Sequence, residues 1–152
     1  MNKTMKFSKL AFLALTLSIT TSSLVSATGN NELISAIKKD NFTSTVVLLD
    51  KGMNPNVVEA GHSPLMLAAR KGDFRLTRVL IAFGADVNLR NDDGTTALMV
   101  AARFGHVELV DLLLREGADP NLRNSKGYTS ADLARMFKHD EAALRLRQTS
   151  LR

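Results

Sequence analysis

Three histidines, His62, His106 and His139, and a scatter of hydroxyls and carboxylates are the side chains with which this chain can attempt chemistry. Cysteine is absent, which removes thiolate metal sites, a thiol nucleophile, a lipid-modified N-terminal cysteine and any disulfide framework. A metal centre needs three or four convergent ligands, and His106 and His139 stand 33 residues apart with no companion His at either place. Acyl transfer needs a hydroxyl with a base in hydrogen-bonding reach. Ser63 and Thr96 instead sit directly before short apolar runs, where a hydroxyl caps a helix. Asp92-Asp93, Glu116 and Asp119 fall in glycine-rich segments, where carboxylates serve turns. No glycine pattern matches a phosphate-binding loop. The sequence therefore carries no catalytic set, no metal set and no cofactor motif, and the expectation is a protein that is not an enzyme.

The elements around these residues repeat. Gly61, Gly94 and Gly127 are spaced 33 residues apart, and Gly52, Gly84 and Gly117, with Asn56, Asn88 and Asn121, keep the same rhythm. Ser63-Pro-Leu-Met-Leu-Ala-Ala69 aligns with Thr96-Ala-Leu-Met-Val-Ala-Ala102 and Thr129-Ser-Ala-Asp-Leu-Ala-Arg135. Each unit predicts a short helix capped by Ser63, Thr96 or Thr129, with Pro64 at the first helical position of its unit. A turn at Gly72 or Gly105 follows. A second helix then shows apolar residues at helical spacing, as in Leu109, Val110, Leu112 and Leu113. Gly84 and Gly117 close that helix, and Asn88–Asp93 and Asn121–Lys126 lead onward as hairpins. No unit can bury its own apolar face, so stability must come from stacking neighbours.

A fixed period of this length belongs to stacked-repeat architectures, and at these residues the chain resembles the ankyrin-repeat family, whose unit is a turn plus two helices with a T-P-L-H-x-A signature. The segment from Gly94 to Asn121, GTTALMVAARFGHVELVDLLLREGADPN, carries the resemblance most fully. The implied fold is an all-α repeat solenoid of about four ankyrin repeats, at about 29–60, 61–93, 94–126 and 127–148, the first and last acting as caps. The signature histidine is replaced by Met66, Met99 and Asp132, and methionine cannot make an imidazole's hydrogen bond. Less rigid hairpins and an adaptable groove are expected from that departure.

A separate segment precedes the repeats. Residues 1–27 hold Lys3, Lys6 and Lys9, an apolar run from Leu10 to Ile19, then Thr and Ser residues and the small residues of Val25-Ser26-Ala27. This is the pattern of a cleaved signal peptide, with the cut after Ala27 and a mature domain of residues 28–152. The run is shorter than the roughly 20 apolar residues of a membrane span. The net charge of +5 falls to +2 without the leader, because three of the 20 basic residues and none of the 15 acids lie in it. That charge gives no reason to expect nucleic-acid binding. Periplasmic or secreted localisation is expected, with no membrane insertion of the mature chain, which is expected to be monomeric.

The resemblance also implies a function. In ankyrin proteins the hairpin tips and the exposed end of the first helix form a concave surface that commonly binds protein partners. By alignment the helix-end positions are Lys38-Lys39, Arg70-Lys71, Arg103-Phe104 and Met136-Phe137, and the hairpin positions include His62, Arg90, Asp92, Asp93, Thr95, Arg123, Lys126 and Tyr128. The surface is expected to run from basic to apolar and aromatic, with Arg70, Lys71, Arg103, Phe104, Tyr128, Met136 and Phe137 as protein-binding residues facing one groove. The alternative for Phe104 and Phe137 is that they fold back and cover the core. Small exported proteins of this kind suggest support of oxidative-stress defence, immunity against a toxic effector, or an effector role on host proteins.

Overall fold

The computed structural model describes residues 29–150. Among them are eight helices in four antiparallel pairs: α1 (Gly29–Lys38) with α2 (Phe42–Asp50), α3 (Pro64–Lys71) with α4 (Phe74–Ala82), α5 (Ala97–Phe104) with α6 (Val107–Arg115), and α7 (Ser130–Met136) with α8 (Asp140–Ser150). The inner helices α1, α3, α5 and α7 stack in order, and the outer helices α4, α6 and α8 follow behind them. The segment expected to be a signal peptide, residues 1–27, lies outside the described residues. No helix among those described is long and apolar enough to cross a membrane.

Local signals set the helix starts. Ser63, Thr96 and Thr129 each accept a hydrogen bond from the backbone N–H three residues on, and Pro64 occupies the first turn of α3. Asn41 and Asp73 cap α2 and α4 in the same manner. The first unit opens directly with α1 at Gly29. The outer helices end slightly before their glycines: α4 stops at Ala82 and α6 at Arg115, and Gly84 and Gly117 follow with φ of +88° and +92°.

Small residues let the inner helices approach. Ala68, Ala69, Ala101, Ala102 and Ala134 are fully buried, surrounded by Leu65, Leu98, Leu109, Leu113 and Leu146. Met66 and Met99 are buried as well, so the methionines at the signature position fill core space. Hairpin order comes from asparagine instead. Asn91 Oδ1 accepts from the N–H groups of Asp93 at 3.1 Å and Thr95 at 2.8 Å, while its Nδ2 donates to the Gly61 carbonyl of the preceding unit at 2.8 Å. Asn124 repeats the pattern with Lys126 and Tyr128, both at 3.0 Å. The hairpins therefore have ties that the loss of the histidine leaves intact.

A second asparagine series joins unit to unit. Asn56 donates to the Gly84 carbonyl at 3.0 Å and accepts from the Asp86 N–H at 2.7 Å. Asn88 does the same with Gly117 at 3.0 Å and Asp119 at 2.8 Å. The 33-residue rhythm of these asparagines is thus the register of the stack.

The last unit departs from its neighbours at one buried position. Ser130 starts α7 where α3 has Pro64 and α5 has Ala97; it is 1% exposed and its Oγ has no hydrogen-bond partner. An unsatisfied buried hydroxyl costs about 1–3 kcal/mol. Ser130→Ala is therefore expected to raise stability by about 1 kcal/mol, read as a higher urea midpoint at unchanged slope. A midpoint that falls would show that the hydroxyl has a partner in solution.

Candidate functional site

The C-terminal ends of the inner helices carry the aromatic positions. Gly105, with φ of +72°, turns the chain out of α5 immediately after Arg103 and Phe104, which leaves both side chains at the lip of the turn. In the last unit Lys138 takes the equivalent left-handed conformation, with φ of +62°, and Met136 and Phe137 occupy the corresponding lip. Phe104 is 43% exposed, Phe137 42% and Met136 50%. None of the three belongs to the fully buried core.

They are nonetheless held. The Arg103 guanidinium carbon lies 4.8 Å from the Phe137 ring centroid of the next unit and 6.0 Å from that of Phe104. The His106 ring lies almost parallel to that of Phe104, at 13° and 6.3 Å between centroids. Phe137, Arg103, Phe104 and His106 thus form a group of neighbouring rings and a guanidinium drawn from two units, with cation–π attraction between Arg103 and the phenylalanines.

His106 anchors the group to the unit before it. Its Nε2 lies 3.2 Å from the Arg70 carbonyl, and since a carbonyl only accepts, that nitrogen carries the proton. The ring also covers Gly72, where an added Cβ would stand 2.7 Å from Cε1. His139 covers Gly105 in the same way. Both histidines are wedges between units.

The seven residues expected to face one groove divide into four sets. Arg103, Phe104 and Phe137 are in contact, and Met136 sits beside them. Arg70 is one unit away, with its side chain exposed. Lys71 is committed within the fold: its Nζ donates to the Ile37 carbonyl at 2.7 Å and the Lys38 carbonyl at 3.4 Å, and pairs with Asp40. It closes the C-terminal end of α1 where the turn lacks glycine. Tyr128 stands before the N-terminus of α7, while Phe137 follows its C-terminus. Seven helical residues separate them by about 10 Å at 1.5 Å per residue. Tyr128 belongs to the hairpin row and not to the aromatic group.

Near that row Asp132 takes the place of the signature histidine. Its Oδ2 accepts from the Thr129 N–H at 3.0 Å and hydroxyl at 2.8 Å, and its Oδ1 accepts from Arg135 at 2.6 Å. The Thr129 backbone bond, above all, with its hydroxyl and the arginine, holds this carboxyl below the usual carboxylate range against an opposing push from burial. A lowered pKa makes the cap's contribution complete above the ordinary carboxylate range, and it is lost as pH falls through the lowered value. The aspartate is a helix cap.

The comparisons agree with this architecture. The family model described as ankyrin repeats (3 copies) matches residues 11–91, 33–124 and 65–149. The chain belongs to the ankyrin-repeat family. It is also similar to the Ankyrin repeat-containing protein P1E11.10 of Schizosaccharomyces pombe, with 39% identity over 49 residues, or 32% of this chain. The chain matches only 24% of that curated relative's length. Proteins of this family are generally non-enzymatic binding modules, and ankyrin repeats imply a module for protein–protein interaction.

Proposed function

We propose that the mature chain works in the bacterial envelope as a non-enzymatic adaptor, binding a protein partner at the inner-helix lip formed by Arg103, Phe104, Met136 and Phe137. The observation that carries this reading is the exposure of three large apolar side chains, Phe104, Met136 and Phe137, at the ends of helices whose other apolar residues are mostly buried. Aromatic and arginine anchors supply much of the binding energy in many interfaces. Export is supported by the composition of residues 1–27, and support of oxidative-stress defence by resemblance to small exported ankyrin proteins.

Two measurements test the proposal. Mass spectrometry of the periplasmic protein is expected to show an N-terminus at Thr28; an intact Met1–Ala27 segment would remove the export reading. Phe104→Ser with Phe137→Ser is expected to weaken capture of the partner from envelope extract at least tenfold, equivalent to about 1.4 kcal/mol, while circular dichroism stays unchanged. Unaltered capture by the folded double variant would eliminate this lip as the binding surface.

A further inference from the structure

Several basic side chains of the repeats are already paired. Lys71 pairs with Asp40, Arg135 with Asp132, and Arg145 with Asp111. Arg103 and Arg70, on adjacent inner helices, have no carboxylate partner among the described residues. Arg103 is distinctive because it is ordered without being neutralised. The Phe137 and Phe104 rings position its guanidinium, yet rings occupy none of its five N–H donors in the way a carboxylate does. An arginine already held in place loses less freedom when it binds, and its planar fork matches a carboxylate.

From this we infer that the lip recognises an extended acidic segment of a partner protein, a side-chain carboxylate seating on Arg103 and a neighbouring apolar side chain resting on Phe104, Phe137 and Met136. The spacing follows from the stack. Neighbouring helices pack about 8–10 Å apart, and a peptide in the polyproline II conformation advances about 3.1 Å per residue with every third side chain on one face. One unit therefore corresponds to about three peptide residues. A carboxylate on Arg103 places the next one, three positions along, opposite Arg70, and the lysines Lys38 and Lys39 continue the basic track. The preferred ligand is an apolar residue followed by acids at every third position. This inference rests on the docking reading above and specifies the chemistry of its ligand.

The test uses the full-length protein and short capped peptides containing one phenylalanine and glutamates at every third position, made in both chain directions. Controls keep the composition but place the glutamates side by side, or replace them with lysine. Fluorescence anisotropy is expected to show saturable binding of the spaced peptide in one direction, at least tenfold tighter than either control. Arg103→Gln should reduce that binding at least tenfold and Arg103→Lys by less, since lysine keeps the charge and loses the fork. Arg115→Gln, on the outer helix α6, should leave it unchanged.

Equal binding of the contiguous-glutamate peptide, or equal losses in Arg103→Gln and Arg115→Gln, would overturn the inference in favour of diffuse charge attraction. An RNA oligomer that competes as well as the spaced peptide would overturn it too. The two readings fail separately. If no acidic peptide binds while the phenylalanine double variant still releases the captured partner, the carboxylate inference falls and the docking surface stands. If peptide binding depends on Arg103 but the double variant keeps the partner, the docking reading falls for that partner.

Discussion

Gly105→Ala is expected to lower stability by about 2–3 kcal/mol, roughly twice the loss for the same change at Gly117. Both glycines have positive φ, +72° and +92°, so each alanine bears the left-handed backbone penalty of about 1 kcal/mol. Only Gly105 adds a steric term, because the His139 ring of the next unit lies over it, whereas nothing lies within 4 Å of a Cβ at Gly117. The imidazole must move off its seat, which opens the contact between the third and fourth units. Urea denaturation of the two variants measures the difference. A double change, Gly105→Ala with His139→Ala, should cost less than the sum of the single changes, since the clash is then gone. Equal losses at the two glycines, with no coupling, would show that His139 is not a wedge. At Gly117 valine should exceed the alanine loss, because branching at Cβ makes positive φ still less accessible.

Leu98→Ala is expected to cost about 3–4 kcal/mol, within the range for large-to-small changes at sites that cannot collapse. Leu98 has no exposed surface and lies in the first turn of α5, the inner helix that packs against both α3 and α7. Its removal leaves a gap bordered by backbone whose position is already set by the alanine contacts. Against a typical domain stability of about 5–15 kcal/mol the loss is severe, and it should appear as a lower urea midpoint at nearly constant slope. Leu144→Ala on α8 is the natural comparison. Leu144 is 56% exposed, and its truncation should change stability by less than about 0.5 kcal/mol. Similar losses at the two positions would mean that burial on the inner helices does not carry the fold.

The helices were readable because their signals are local. Ser63, Thr96 and Thr129 cap as expected, Pro64 sits where its missing N–H is harmless, and the apolar spacing of α6 reports its buried face. The site was readable in part. Alignment puts Arg103, Phe104, Met136 and Phe137 at equivalent helix ends, since repeats of one length bring equivalent positions side by side, and Arg103 lies against the Phe137 ring. It did not reveal that Lys71 is spent on the carbonyls of Ile37 and Lys38, because that contact depends on how the first turn is built without a glycine. Tyr128 was grouped with Phe137 by unit and not by height along the helix, which the length of α7 corrects. The linking role of Asn56 and Asn88 left a trace in the sequence, their shared period, but periodicity alone does not say which atoms meet across the stack.

The packing order of the helices also bears on how such a chain acquires its structure. The extensive contacts join helices of one unit or of adjacent units, as in α1 with α3 or α6 with α8. The chain therefore has to close loops of about one repeat, and never of its whole length, before apolar surface begins to be buried. Loop closure entropy grows with length, and topologies rich in near contacts cross lower barriers. Any adjacent pair of units can serve as a nucleus, and each further unit joins a surface that already exists. For a polypeptide emerging end first, whether from a ribosome or through a translocation pore, assembly can proceed while the remainder is still in transit.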